Sequence, residues 1–178
     1  MIRLKQLLNE ISNSDIQKCL DKIQQNQFRL IGAGDNGRVY EIDGEDKVFK
    51  ITKERDEYEV ASIIVDRYNE FTTFIPVYYV DGKNMYIMAN ASELPIRLKK
   101  EIDLFMQDFA SFARDEGGEV SIFDFLPDAG NMNPIIDNFL NTLKTDIDKL
   151  QIPEFDLDLD FRSDNVMMWD GNMVLVDW

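Results

Sequence analysis

Apolar residues recur along the first 25 positions at helical spacing. Ile2, Leu4, Leu7, Leu8 and Ile11 form one stripe, and Ile16, Leu20 and Ile23 form a second. Ser14 stands between them as a candidate N-cap, so the pattern predicts two short helices acting as a packing extension. From Gln27 the period shortens to that of strands. Phe28 to Ile31 leads into Gly32-Ala33-Gly34-Asp35-Asn36-Gly37, Arg38 to Ile42 leads out to an Asp43-Gly44 turn, and Lys47 to Ile51 follows as a third strand. Lys53 to Phe71 returns to helical spacing, with Val60, Ala61, Ile64, Val65 and Tyr68 on one face and Thr52 placed to cap it. Phe74 to Val80 and Asn84 to Ala89, joined by Asp81-Gly82, complete a five-stranded antiparallel sheet.

Beyond Asn90 the chain turns helical. Glu93 to Glu116 is amphipathic, carrying Leu94, Ile96, Leu98, Ile102, Leu104, Phe105, Phe109 and Phe112 as core candidates. Gly117-Gly118 ends that stretch, a loop runs through Phe123 to Asn131, and Pro134 to Leu150 forms a further helix. The expected class is α+β: a helical extension over 1–25, a sheet lobe with one helix over 26–90, and a reduced helical lobe over 91–178. A cleft between a sheet lobe and a helical lobe is a common ligand site.

The last stretch concentrates polar chemistry. Asp160 and Asn165 stand five apart, and Val166 to Trp178 reads as a hairpin reversed at Asp170-Gly171, a pair that favours a tight two-residue turn. The hairpin returns Asp177 to the side of Asn165. Two oxygen ligands and a candidate base thus converge, as a magnesium nucleotide and an attacking hydroxyl require.

Composition narrows the classes. The chain has 178 residues, 34 acidic against 19 basic, no histidine and a net charge of -15. Such a surface repels nucleic acid and anionic membrane. Without histidine there is no Ser-His-Asp triad and no His-ligated zinc. The one cysteine, Cys19, excludes an intrachain disulfide, and its spacing within Asp15 to Gln25 reads as a core or partly buried helix position. Met1 to Leu8 is too short for a signal peptide and no apolar run reaches membrane-spanning length, so a soluble cytoplasmic protein is expected.

Two features of the sheet lobe carry chemistry. The glycines at 32, 34 and 37 let backbone amides approach an anion, and because Arg38 to Ile42 continues as a strand, the motif is not a helix-opening dinucleotide loop. Lys50 interrupts an apolar strand on the side of Val48, which costs desolvation unless an anion meets it; an edge-strand lysine facing water is the plainer alternative. At 100° per residue, Glu57 falls in the middle of the apolar face of the next helix and Glu59 opposite it. Glu57 is therefore the preferred partner of Lys50, with Glu59 the fallback if the helix is rotated.

Taken in order, Gly32-x-Gly34-x-x-Gly37-x-Val39, Val48-Phe49-Lys50, an acidic helix, Asp160-x-x-x-x-Asn165 and Val176-Asp177 resemble the signature of the protein-kinase-like superfamily over Gln27 to Trp178. The form of Asp160 to Met167 is similar to compact bacteriophage-type Ser/Thr kinases. The resemblance implies a minimal bilobal fold that binds ATP with Mg2+ or Mn2+. In that frame Gly32, Gly34, Gly37 and Val39 cover the nucleotide, and Lys50, held by Glu57, reaches its phosphates. Met88 backs the adenine pocket, with Ala89 and Ala91 offering hinge backbone groups. Asp160 accepts the proton of the attacking hydroxyl or orients it, Arg162 replaces the usual lysine that neutralises the moving phosphoryl group, and Asn165 and Asp177 hold the metal.

Departures from the pattern qualify what it implies. Asp158-Leu159 stands in place of His-Arg, so regulation by loop phosphorylation is not expected. Asp177-Trp178 is closer to the Asp-Trp of aminoglycoside and choline phosphotransferases, and the sequence stops before any activation segment, so a protein substrate would need another docking surface. Three readings follow: a minimal Ser/Thr protein kinase, a small-molecule phosphotransferase acting on a hydroxylated compound, and a nucleotide-binding pseudokinase. Joint retention of Lys50, Asp160, Asn165 and Asp177 argues against the last.

Overall fold

The computed structural model describes residues 2–117, 120–129, 132–150 and 161–177. The chain is α+β, with a five-stranded antiparallel sheet, a separate three-stranded sheet and five α-helices among the described residues. It divides into two compact units, Met1–Tyr68 with Pro76–Asn90 and Asn69–Ile75 with Ala91–Trp178.

The first unit opens with α1 (Ile2–Gln24). The two short helices expected here are one, because Ser14 continues the helix instead of capping a new one. The stripe from Ile2 to Ile11 falls on side chains outside the described set. The sheet follows as β1 (Phe28–Ala33), β2 (Gly37–Ile42), β3 (Lys47–Thr52), β4 (Val77–Val80) and β5 (Met85–Ala89), in the order β1-β2-β3-β5-β4. Glycines with positive φ make two of its turns, Gly44 at 70° and Gly82 at 78°. At the second of these, the Asp81 carboxylate accepts from the amides of Lys83, Asn84 and Met85 at 2.8–3.0 Å.

Register sorts the sheet into two faces. Leu30, Tyr40, Phe49, Ile87 and Tyr79 are successive cross-strand partners, and Phe49 and Ile87 join Ile16 and Cys19 of α1 in one apolar core. Tyr40 stacks on Phe49 with ring centroids 4.7 Å apart, and Phe28 meets both rings edge-on. The opposite face carries the row Gly32, Val39, Lys50, Tyr86 and Val80. Helix α2 (Arg55–Ile64) buries Glu57, Val60, Ala61 and Ile64.

Helix α2 is about half the expected length. It stops at Ile64, followed by a single 3-10 turn at Tyr68–Glu70. The strand expected from Phe74 likewise starts only at Val77. The reason is tertiary: Asn69–Ile75 belongs to the second unit, where the Ile75 amide donates to Leu175 and the Leu175 amide donates to Thr73, at 3.0 and 2.7 Å.

In the second unit, β6 (Ser92–Glu93) precedes α3 (Ile96–Asp115). The expected loop contains a one-turn helix, α4 (Ile122–Phe125), whose Ser121 and Asp124 form a reciprocal capping box. Helix α5 (Pro134–Leu150) has the expected bounds. Leu98, Ile102 and Phe105 of α3 are buried, whereas Ile96 and Leu104, expected in the core, are exposed on its far face. The chain ends in β7 (Val166–Trp169) and β8 (Asn172–Leu175), joined by Asp170 and Gly171 at φ 46° and 78°. Positive φ at both central residues is the turn form that matches strand twist. The two-residue β6, not anticipated, adds a third strand through Ser92–Met168 and Glu93–Met167 pairing. No helix among the described residues is long and apolar enough to cross a membrane.

Candidate functional site

The sheet unit holds one group of candidates. Lys50 is 5% exposed in the middle of β3, and its Nζ lies 2.6 Å from Oε1 of Glu57, itself 2% exposed on α2. Glu57 reaches Lys50 because it lies on the buried stripe of α2 with Val60, Ala61 and Ile64. Glu59 faces out and pairs with Arg55 at 2.7 Å instead. A buried ion pair is stable only when its remaining lone pairs are met. Here Thr52 donates its hydroxyl to Oε2 of Glu57 at 2.6 Å, and the Tyr86 hydroxyl donates to Oε1.

The glycines differ in what fixes them. A side chain at Gly37 would put Cβ 2.6 Å from the Ile51 carbonyl oxygen, so close strand approach alone requires glycine there. Around Gly34 nothing lies within 4 Å of such an atom, so that position is open. Its amide, however, donates to the Gly37 carbonyl at 3.0 Å and closes the turn. At Gly32 the nearest atom would be Val39 Cβ at 3.7 Å, an ordinary contact. The tip of the turn is tethered: the Lys53 amide donates to the Asn36 carbonyl at 2.8 Å and Lys53 Nζ to the Asp35 carbonyl at 2.9 Å.

Met88 and Ala89 are buried at the end of β5, and Ala91 is half-buried just beyond it. The Ala89 amide donates to Pro76 at 3.0 Å and the Asn90 amide to Asp46 at 3.1 Å.

The second unit holds the other group. Asp160, expected as the base, lies outside the described residues, as do Gly118, Asp158, Leu159 and Trp178. Phe161 is 2% exposed, stacked on Phe139 of α5 and edge-on to Phe105 of α3. Sequence reasoning did not single out Phe161, although a lone aromatic inside Asp160-Phe161-Arg162 is the signal of an anchored loop. Arg162 is exposed and its carbonyl accepts from the Asn165 amide at 2.9 Å, closing a turn that leaves Asn165 buried. Asp164 points outward and pairs with Lys99 at 2.9 Å, a contact that holds the lysine ammonium above its ordinary range.

Across the hairpin, the Val176 amide donates to the Asn165 carbonyl at 2.9 Å, which sets Asp177 one residue beyond a residue bonded to Asn165. Among the described residues, no group of three or more His, Cys, Asp or Glu is arranged to hold a metal. A pair of hard oxygen donors suits magnesium, which keeps most of its shell for water and phosphate oxygens.

No family model matches the sequence, and no curated protein matches it. Among solved structures, the streptomycin-ATP-APH(2")-IIa ternary complex aligns with 92% of this chain and 69% of that chain, at 18% sequence identity and a TM-score of 0.38. At that TM-score the alignment assigns this chain neither an activity nor a substrate.

Proposed function

We propose that this chain is an ATP- and magnesium-dependent phosphotransferase, a minimal Ser/Thr protein kinase that passes the terminal phosphoryl group of ATP to a hydroxyl. The observation that carries the reading is the buried Lys50–Glu57 pair, 2.6 Å apart, on the sheet face that also bears Gly32 and Val39. An ammonium fixed on a sheet beside a glycine turn is a phosphate-positioning device.

The sheet unit binds the nucleotide. Lys50 meets its phosphates, Gly32, Gly34, Gly37 and Val39 cover it, and Met88 backs the adenine. Because the Ala89 amide is engaged by Pro76, a base meets Ala89 through the carbonyl and Ala91 through the amide. The helical unit supplies the chemistry. Asp160 takes the proton of the attacking hydroxyl while the hydroxyl oxygen bonds to the terminal phosphorus, the bridging P–O bond breaks and ADP leaves. Arg162 offsets charge on the moving phosphoryl group. Asn165 and Asp177 would hold magnesium, which when bound screens the phosphate oxygens, a need sharpened by the net charge of -15.

A second reading, transfer to a small hydroxylated compound, is favoured by the Asp177-Trp178 pair. Incubation with labelled ATP, with the protein alone and with cell lysate, read by gel and by mass spectrometry, separates the two. Label on protein serine or threonine supports the kinase. Label confined to a small hydroxylated compound moves the assignment to the second reading. Label that persists unchanged in Asp160→Ala refutes the mechanism.

A further inference from the structure

We propose that Tyr86 and Thr52 are positioning residues for the Lys50 ammonium, acting through Glu57. Lys50 and Tyr86 are direct cross-strand partners on β3 and β5, so both side chains rise from the same face of the sheet. Thr52 lies two residues beyond Lys50 on the same strand and shares that face. All four side chains are buried: Tyr86 and Thr52 at 0%, Glu57 at 2% and Lys50 at 5% exposure.

Glu57 Oε1 is shared between the Lys50 ammonium and the Tyr86 phenol, while Oε2 takes the Thr52 hydroxyl at 2.6 Å. Thr52 also accepts from the Glu54 amide at 3.0 Å at the start of α2. Both carboxylate oxygens are therefore tied to the sheet by hydroxyls from two different strands. The helix is fixed at its entry by one of them. With only a lysine as partner, the carboxylate could rotate about its side-chain torsions and carry the ammonium with it. Two further donors in a site of low dielectric leave one orientation. The pairing glutamate is thus seated by the sheet itself. The kinetic consequence rests on the phosphotransferase reading; the placement of Lys50 does not.

The test uses Tyr86→Phe and Thr52→Val, singly and together, with Thr52→Ser as the variant that keeps the hydroxyl. Tyr86→Phe preserves the ring and Thr52→Val the branched shape, and thermal melting checks the fold. Trace acetylation with acetic anhydride, read by peptide mass spectrometry, compares Lys50 with Lys47 on the same strand. In the double variant Lys50 should gain about fivefold or more in labelling with Lys47 unchanged, while Thr52→Ser labels like the parent. In the transfer assay kcat should fall about tenfold with KM for ATP moving less than about twofold, because misplacement is felt mainly in the transition state. Selective Lys50 labelling without transfer by any form, the parent included, supports the clamp and removes the phosphotransferase reading. Unchanged Lys50 labelling in the double variant overturns the proposal whatever the transfer assay shows. So does a parallel rise at Lys47, which reports general loosening, or an undiminished kcat beside an active parent.

Discussion

Asp146, on α5, receives both the amide and the hydroxyl of Thr73, at 3.0 and 2.8 Å, across 73 positions of sequence. The same Oδ2 accepts the Thr72 amide at 2.8 Å, and Oδ1 accepts Lys149 at 2.7 Å. Thr73 in turn offers its carbonyl to Leu175 on β8. A single buried carboxylate therefore links α5 to the segment that supports the terminal hairpin.

Asp146→Asn should be strongly destabilising for that reason. The amide nitrogen must face either the threonine donors or the lysine, placing donor against donor in a buried site, at a cost of roughly 2–4 kcal/mol. Burial by itself would raise the Asp146 pKa, but the bonds from Lys149, Thr72 and Thr73 outweigh it and the net shift is downward. A depressed folded-state pKa contributes stability that is present above the unfolded value of about 3.9 and is lost as pH falls through the folded value. Urea melts of parent and variant should therefore differ most near neutrality and converge as the pH drops below about 3.9. A gap that stays constant with pH would contradict the assignment.

Gly37 and Gly34, three residues apart in one motif, should respond differently to alanine. At Gly37 the added methyl would sit 2.6 Å from the Ile51 carbonyl oxygen, a backbone atom that cannot swing away. Gly37→Ala should cost on the order of 1–3 kcal/mol by overpacking. At Gly34 nothing lies within 4 Å, so Gly34→Ala should leave stability within about 0.5 kcal/mol. Under the proposed function the same methyl fills space meant for phosphates and weakens ATP binding several-fold. Thermal melts with and without nucleotide read both effects, and equal melting temperatures for the two variants would refute the distinction.

Features set by local chemistry were legible in the sequence. The Asp81-Gly82 and Asp170-Gly171 turns, the bounds of Pro134–Leu150 and the burial of Glu57 all follow from residue type and spacing. Features set by distant partners were not. The stretch from Val65 to Phe71 continues a helical pattern, yet α2 stops at Ile64 because Thr72 and Thr73 are drawn to Asp146 and Ile75 to Leu175. Ser92–Glu93 becomes a strand only because β7 offers an edge. Asp146 was within reach, since it interrupts the apolar stripe Leu143, Ile147 and Leu150 as Glu57 interrupts that of α2. Tyr86 and Thr52 were not, because their convergence on Glu57 depends on strand register.

Cys19 should be slow to react. It is fully buried against Ile16, Phe49 and Ile87, and burial pushes its thiol above the ordinary range. Thiolate, the reactive form, is therefore scarce at neutral pH, and access requires α1 to lift from the sheet. A thiol-specific disulfide reagent should modify Cys19 at a small fraction of the rate in denaturant, and the rate should rise with sub-denaturing urea. Immediate stoichiometric modification in buffer would show that α1 does not cover this face.

The terminal hairpin yields the prediction that bears most directly on function. The Val176 amide bonded to the Asn165 carbonyl sets two oxygen-bearing side chains at one end of a three-stranded sheet. Under the proposed function two such donors would hold magnesium weakly on their own; with phosphate oxygens completing the shell, metal and nucleotide should bind as a unit. ATP should therefore raise the melting temperature only when magnesium or manganese is present, by about 2.7 kcal/mol of stabilisation at a hundredfold excess over Kd. Asn165→Ala and Asp177→Ala should each remove most of that metal-dependent increment. Lys50→Ala should weaken productive positioning of the phosphates, so that transfer falls further than binding does. Stabilisation by ATP that is the same in chelator as in magnesium would detach Asn165 and Asp177 from any metal role, and with them the phosphotransfer mechanism.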